Sequence, residues 1–331
     1  MERFALAAAV VLGFALTAAL CSLFVPLRRV LERREQQQQP VQSEQPRPAP
    51  LRAPLWGGLC AAAGTVAAVG VGWLAACVGQ PELLGSEGRL MTRLLTALAG
   101  SLVFGAVGLA EDVARMRSPA ALGLRRDVRL LLEALAAAFV LLLLRAAGCL
   151  PRGLGVPGAG YVLLGSAVPF LWAVFMVALA ECARIAERDE GAVCGAAFVA
   201  MLALMMVEAG LGVSGLAVLP AALAGALVAL GLWAFPPARL GVGCCGSLLA
   251  AGAIGCIPLS LDMTSLTVPL ALPFWAAGGL LAAQLLCAKR TGKPLRCWVK
   301  KHKMSPETVF LCSFALSAVG YVLALALLRW C

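Results

Sequence analysis

Charge is scarce in this chain. Asp, Glu, Lys and Arg make up 13% of its 331 residues, about half the share in an ordinary soluble domain, while 61% are hydrophobic. That balance excludes a soluble globular fold and places the chain in a bilayer. Histidine occurs once, and the thirteen cysteines contain no CxxC pair, so neither a zinc site nor a disulfide framework has support. Most of the cysteines read as small core hydrophobes. The basic residues are divided among loops without interleaved aromatics, which argues against nucleic acid as a partner. There is no internal repeat and no soluble domain, so residues 1–331 read as one polytopic membrane domain.

What the chain has instead is apolar runs, each near the ~20 residues needed to cross a bilayer. Ten can be placed, at about 4–26, 56–78, 92–110, 129–148, 161–180, 191–209, 211–234, 240–258, 267–287 and 307–329. The sixth and seventh are separated only by a tight turn at Gly210 to Gly212. The first exceeds a signal-peptide core, lacks a basic leader and ends at Arg28-Arg29 without a clean cleavage site, so it is expected to stay as a helix. The fold class expected is an all-α membrane bundle of about ten helices.

Basic flanks orient such a bundle. The loops before the second, fourth, sixth, eighth and tenth spans hold six, five, two, one and seven of the 27 Lys and Arg, or 21 in all. These loops are therefore expected in the cytoplasm, with both termini outside, in the plasma membrane. The formal charge of +10 reads as topology plus attraction to anionic headgroups. The longest polar stretch, residues 32–52, contains Gln36 to Gln39 and Pro40, Pro46, Pro48 and Pro50; it cannot bury a core and is expected to be a flexible cytoplasmic loop.

Seven acids, Glu111, Asp112, Asp127, Glu181, Glu187, Asp189 and Glu190, fall in the second and third of these loops or at the adjoining helix ends. They could share one site, or be solvated interfacial charges. Glu133 lies one turn inside the fourth span and is expected to pair with Arg129 at i, i+4. At the end of the third span, Phe104 to Arg115 reads Phe-Gly-Ala-Val-Gly-Leu-Ala-Glu-Asp-Val-Ala-Arg. Adjacent carboxylates with a cation one turn on are what metal-assisted phosphoryl transfer needs: oxygens for a metal or base, and positive charge for phosphate.

Further segments follow in order. Arg52 to Gly58 reads Arg-Ala-Pro-Leu-Trp-Gly-Gly; Glu181 to Gly195 places Glu181, Arg184, Glu187, Glu190 and Gly191 at fixed spacing; Ala234 to Gly252 contains Pro236-Pro237 and Gly243-Cys244-Cys245-Gly246-Ser247-Leu248; and Thr291-Gly292-Lys293 precedes Lys300-Lys301-His302-Lys303. Taken together the chain resembles the phospho-N-acetylmuramoyl-pentapeptide transferases and the polyprenyl-phosphate N-acetylhexosamine-1-phosphate transferases over most of its length. Their corresponding patterns are GTPxxGG, FGxxGxxDDxxK, NxxNxxDGxDGLxxG, NxPPAxxFxGDxGSLxLG, and a TGK segment followed by a histidine cluster. The resemblance implies a ten-helix bundle that transfers a phospho-sugar from a UDP-sugar to undecaprenyl phosphate with magnesium, in peptidoglycan or other cell-envelope synthesis. A homodimer is expected on the same ground.

By that resemblance, Glu111, Asp112, Glu187 and Glu190 are the retained catalytic carboxylates. Arg115, Arg129, Arg184, Lys300, Lys301 and His302 are the phosphate- or substrate-binding candidates, and Cys244 stands where the family places a magnesium-binding aspartate. The departures are chemical. Asp to Glu moves an oxygen by about 1.5 Å, one bond length, in a site with little tolerance. Arginine presents a planar fork where lysine presents a point charge, and Glu181 and Arg184 replace two asparagines. A thiol at residue 244 is a poor ligand for a hard cation; Cys244-Cys245 also suits plain packing at a Gly-rich helix start. Losing one preorganised electrostatic group costs about 10²–10³ in rate. The reading favoured is thus a degenerate relative with weakened or lost catalysis that binds polyprenyl phosphate or anionic lipid and serves an envelope-synthesis partner. The alternative is an active magnesium-dependent transferase with substituted ligands. A transporter or channel is disfavoured, because no span shows a mid-membrane ionisable residue.

Overall fold

The computed structural model describes residues 2–38, 56–79, 88–117, 123–151, 153–156, 160–163, 165, 167–187, 191–235, 239–280 and 306–328. The elements are α1 (Glu2–Gln38), α2 (Gly57–Gly79), α3 (Gly88–Arg117), α4 (Arg126–Ala146), β1 (Gly153–Val156), β2 (Gly160–Leu163), α5 (Ala167–Ala186), α6 (Ala192–Gly210), α7 (Ser214–Ala234) and α8 (Gly243–Ser260). A 3₁₀ turn (Thr264–Leu266), the short α9 (Thr267–Leu270), helical residues 272–280 (α10) and α11 (Pro306–Leu328) complete it.

Eight of the described helices, all but α4, α9 and α10, are long and apolar enough to cross a membrane. The chain is a multi-pass membrane protein. A helix at the place of the fourth expected span is present as α4, but its length carries Arg126, Asp127, Arg129, Glu133 and Arg145. The ninth is broken into the 3₁₀ turn, α9 and α10, and its remainder lies outside the described residues, as does most of the 32–52 loop. The fifth span begins later than expected. Residues 160–163 pair with 153–156 in a small antiparallel hairpin, Gly153 opposite Leu163 and Val156 opposite Gly160, and α5 runs on to Ala186. The expected all-α bundle is what the described residues form, with this one short hairpin added between α4 and α5, where the Gly-flanked Tyr161-Val162-Leu163 suits a strand as readily as a helix start.

All 18 residues of α8 are buried, which makes it the central helix, flanked by α3, α5, α2 and α6. Small residues make this possible. Gly108 of α3 sits so close to α8 that an added Cβ would collide with the Cys244 carbonyl, so the two backbones touch where most helices keep side chains between them. Gly243, at φ 69°, starts α8 in the left-handed region that other residues resist. Large apolar side chains such as Phe4, Leu23, Leu142, Phe170 and Leu232 point outward, as lipid-facing positions do.

The structure extends α3 to Arg117 and α5 to Ala186, beyond the expected ends of those spans. Glu111, Asp112, Arg115, Glu181 and Arg184 are therefore helical, and their orientation is set by rigid elements rather than by loops.

Candidate functional site

α8 begins with no capping side chain of its own: Val242 precedes it and makes no side-chain cap. The exposed N–H groups of a helix's first turn need acceptors. Asp112 supplies them from α3: the Cys244 N–H donates to Oδ1 at 2.9 Å and the Cys245 N–H to Oδ2 at 2.8 Å. Asp112 is fully buried, so its negative charge rests on a helix N-terminus, where the aligned peptide dipoles favour it. The Cys244 thiol donates to Glu187 Oε2 at 2.8 Å.

Arg115, one turn beyond Glu111, is the hub of the acids. Its Nη2 donates to Glu111 Oε1 at 2.8 Å, its Nη1 reaches Glu187 Oε1 at 3.2 Å and Oε2 at 3.3 Å, and the same Nη1 lies 4.0 Å from Asp112 Oδ1. A second knot joins α4 to α5. Arg129 Nε donates to Glu181 Oε1 at 2.8 Å and Arg184 Nη2 to Glu181 Oε2 at 2.6 Å, while Arg129 Nη1 stands 3.7 Å from Glu111 Oε1 and links the two knots. These are charge-assisted contacts in a largely buried setting, the strong class of hydrogen bond.

The structure thus brings together Glu111, Asp112, Arg115, Arg129, Glu181, Arg184, Glu187 and Cys244. Glu190, Lys300, Lys301 and His302 lie outside the described residues. The expected Arg129–Glu133 pair is not formed. Arg129 turns to Glu181 and Glu111, and both carboxylate oxygens of buried Glu133 lack a hydrogen-bond partner among the described residues. The reason is competition: Glu181, from the neighbouring helix, meets the Arg129 Nε directly, and Arg184 holds that carboxylate in place.

Two features stand outside the expectations drawn from the sequence. Asp112 as the cap of α8 was signalled by the lack of Ser, Thr, Asp or Asn at the start of α8. Glu208, near the end of α6, is buried with Oε2 unpartnered among the described residues, so the spans do hold an ionisable group away from the acid cluster.

Asp112, Glu187 and Cys244 each offer a ligand atom, and these atoms lie within 4.8 Å of one another, so the three form a group that could hold a metal ion. Magnesium is not what they suit. It takes an octahedral shell of oxygens, whereas here one donor is sulfur, both Asp112 oxygens already accept backbone N–H groups, and the Arg115 cation contacts Glu187.

The acids thus gather around the start of the central helix of a membrane-spanning bundle. The family model for glycosyl transferase family 4 matches residues 94–262, just over half of the 331, from within α3 to just past α8. The chain belongs to that family, whose members are sugar-phosphate transferases. No curated protein matches the sequence.

Proposed function

We propose that this chain is a catalytically silent member of the phospho-sugar transferases, retaining their bundle to bind a polyprenyl phosphate or anionic lipid and to act on a partner in cell-envelope synthesis. It resides in the plasma membrane with the acid cluster on the cytoplasmic side and both termini outside, in keeping with the distribution of Lys and Arg. What supports loss of chemistry is the occupation of the site by its own side chains: Asp112 caps α8, Glu187 takes the Cys244 thiol and Arg115, and Glu111 Oε1 takes Arg115, which leaves Glu111 with one oxygen, the buried Oε2, unpartnered among the described residues. A general base or metal ligand needs a free oxygen lone pair facing substrate. Arg115, Arg129 and Arg184 are likewise paired with carboxylates, which compete with any phosphate for their N–H groups.

The active alternative draws on the grouping of Asp112, Glu187 and Cys244. The two readings separate in one assay: purified protein, undecaprenyl phosphate in detergent, and UDP-MurNAc-pentapeptide or UDP-N-acetylhexosamine with magnesium, followed for UMP release. No UMP is expected, from the wild-type chain or from Cys244→Asp. Turnover that Asp112→Asn abolishes, in protein shown to be folded, overturns the proposal.

A further inference from the structure

Helices α1 and α2 run antiparallel in very close contact, because small residues meet along their seam. An added Cβ on Gly72 would lie 3.0 Å from Ala9 Cβ, and one on Gly64 would collide with Thr17. Four residues on from Thr17 along α1, and four back from Gly64 along α2, the same register sets Cys21 opposite Cys60, and their thiols share a hydrogen bond. Both are buried, at 0% and 1% exposure. Cys194 of α6 and Cys245 of α8, also buried, stand close enough to act electrostatically on Cys21 and Cys60 in turn. Four helices thus bring thiols to one region. One turn beyond the pair, Phe24 of α1 and Trp56 before α2 stack with ring centroids 5.9 Å apart.

We infer that Cys21 and Cys60 form a two-sulfur site for a thiophilic monovalent cation of the copper(I) class. The site lies apart from the acid cluster, and the inference is independent of whether the chain turns over a phospho-sugar.

The donors decide the class of ligand. Sulfur alone selects soft cations and excludes magnesium, calcium and manganese, which take oxygen. The number of donors then decides among the soft ones. Zinc closes its structural sites with four ligands. Among the described residues only Asp112, Glu187 and Cys244 bring three ligand atoms within 4.8 Å of one another, so Cys21 and Cys60 act as two. Copper(I), with a filled d shell and a single charge, is satisfied by two sulfurs in line.

Charge points the same way. The cation takes the place of the proton shared between the thiols. One S–H bond breaks and its proton leaves to water, the electron pair left on that sulfur binds copper, and the second sulfur adds a lone pair while keeping its hydrogen. Copper stays monovalent throughout, so no oxidant or reductant enters the step. The pair is neutral before and after, and the span gains no buried charge, which would be costly there. On the proposed orientation the pair lies toward the cytoplasmic face, where thiols are kept reduced and a disulfide does not pre-empt the site.

Full-length wild type, Cys21→Ser, Cys60→Ser, Cys194→Ser and, as an exposed control, Cys312→Ser would be purified in detergent with a thiol-free reductant, loaded with copper(I) and titrated with bicinchoninate without oxygen. Wild type, Cys194→Ser and Cys312→Ser are expected to hold about one copper per chain, the ratio a single two-sulfur site requires. Cys21→Ser and Cys60→Ser should bind at least about 10–100-fold more weakly, since losing a ligand costs no less than losing the outer partner of one. X-ray absorption at the copper edge of the wild type should show a first shell of two sulfurs without nitrogen or oxygen, a readout that needs no variant to fold. Wild type that cedes all its copper to the chelator as readily as free copper(I) overturns the inference. So does unchanged affinity in Cys21→Ser and Cys60→Ser, or a first shell containing oxygen, as copper held by Cys244 and Glu187 would give. An active transferase would refute the proposed function and leave these readouts as they are.

Discussion

Asp112 is the residue whose replacement should cost the fold most per atom removed. Asp112→Ala takes away both acceptors of the first α8 turn, and the two N–H groups they served belong to Cys244 and Cys245, both buried. Each unsatisfied buried donor costs about 1–3 kcal/mol, and the favourable placement of a carboxylate on a helix N-terminus adds roughly 0.3–2 kcal/mol. Against this stands relief of the desolvation borne by a buried charge, and loss of one partner from a buried ionic cluster nets about 3–5 kcal/mol in comparable cases. A loss of about 3–4 kcal/mol is expected for Asp112→Ala. Asp112→Asn keeps one acceptor but turns an N–H₂ toward the other backbone N–H, so roughly half that loss should remain. Equilibrium unfolding in SDS mixed micelles, followed by helical circular dichroism, measures both. If Asp112→Ala stays within about 0.5 kcal/mol of wild type, or if Asn proves worse than Ala, the cap is not what holds α8 and the account of Asp112 fails.

The remaining predictions use the same assay or a chemical one. Gly108→Ala drives a Cβ into the Cys244 carbonyl where α3 meets α8; backbone cannot yield as a side-chain tip can, so about 2–3 kcal/mol should be lost, and a neutral result would show that the helices are further apart. Glu133→Leu replaces a buried carboxylate without hydrogen-bond partners among the described residues by an apolar group of similar size; it should stabilise the protein by about 1 kcal/mol, and a loss of that size would mean that Glu133 is held by a counter-charge. Ala9 faces Gly72 and Thr17 faces Gly64 across the antiparallel α1–α2 pair, and the same register sets the buried Cys21 and Cys60 thiols in contact. Copper-phenanthroline should join them, so that a chain cut at a protease site engineered between residues 40 and 50 stays linked until reduced; separation of the fragments, or linkage that survives Cys21→Ser, would refute the register.

The helices were legible because hydrophobicity dominates the energetics of a bilayer, and a run of about 20 apolar residues has few other fates. α2, α6, α7, α8 and α11 stand close to where the apolar runs place them, while α1 and α3 run on past theirs. The helix ends were not legible. Glu111, Asp112, Glu181 and Arg184 look like loop residues by hydropathy, but they continue α3 and α5 because their partners lie on neighbouring helices. Pairing is the other thing a linear reading misses. Arg129 has Glu133 one turn away and is drawn instead to Glu181, 52 residues on, because i, i+4 spacing makes contact available and packing decides whether it is used. The hairpin at 153–163 was hidden for the opposite reason: a short apolar segment has no period long enough to tell strand from helix.

Retained acids are commonly taken as a sign of retained chemistry, and here the ion pairs weaken that step. Breaking a buried pair by removing one partner costs about 3–5 kcal/mol, whereas exchanging both partners for apolar groups is often neutral. Arg115 depends on Glu111 and Glu187, Arg129 on Glu181 and Glu111, and Arg184 on Glu181. No single substitution frees any of them, since each leaves a charge stranded beside α8. Asp112 is fixed separately by the two N–H groups it caps. The carboxylates would therefore have to stay for folding whether or not they ever touched a substrate. Their presence cannot distinguish an enzyme from a silent relative. The residue that can is Cys244. On the proposed reading the family carries a carboxylate at that place; here a thiol donates to Glu187, so the position adds no negative charge to the three carboxylates that Arg115 contacts. With an aspartate there, the cluster would hold a further buried charge and need a further cation. With cysteine it closes on the arginine it already has.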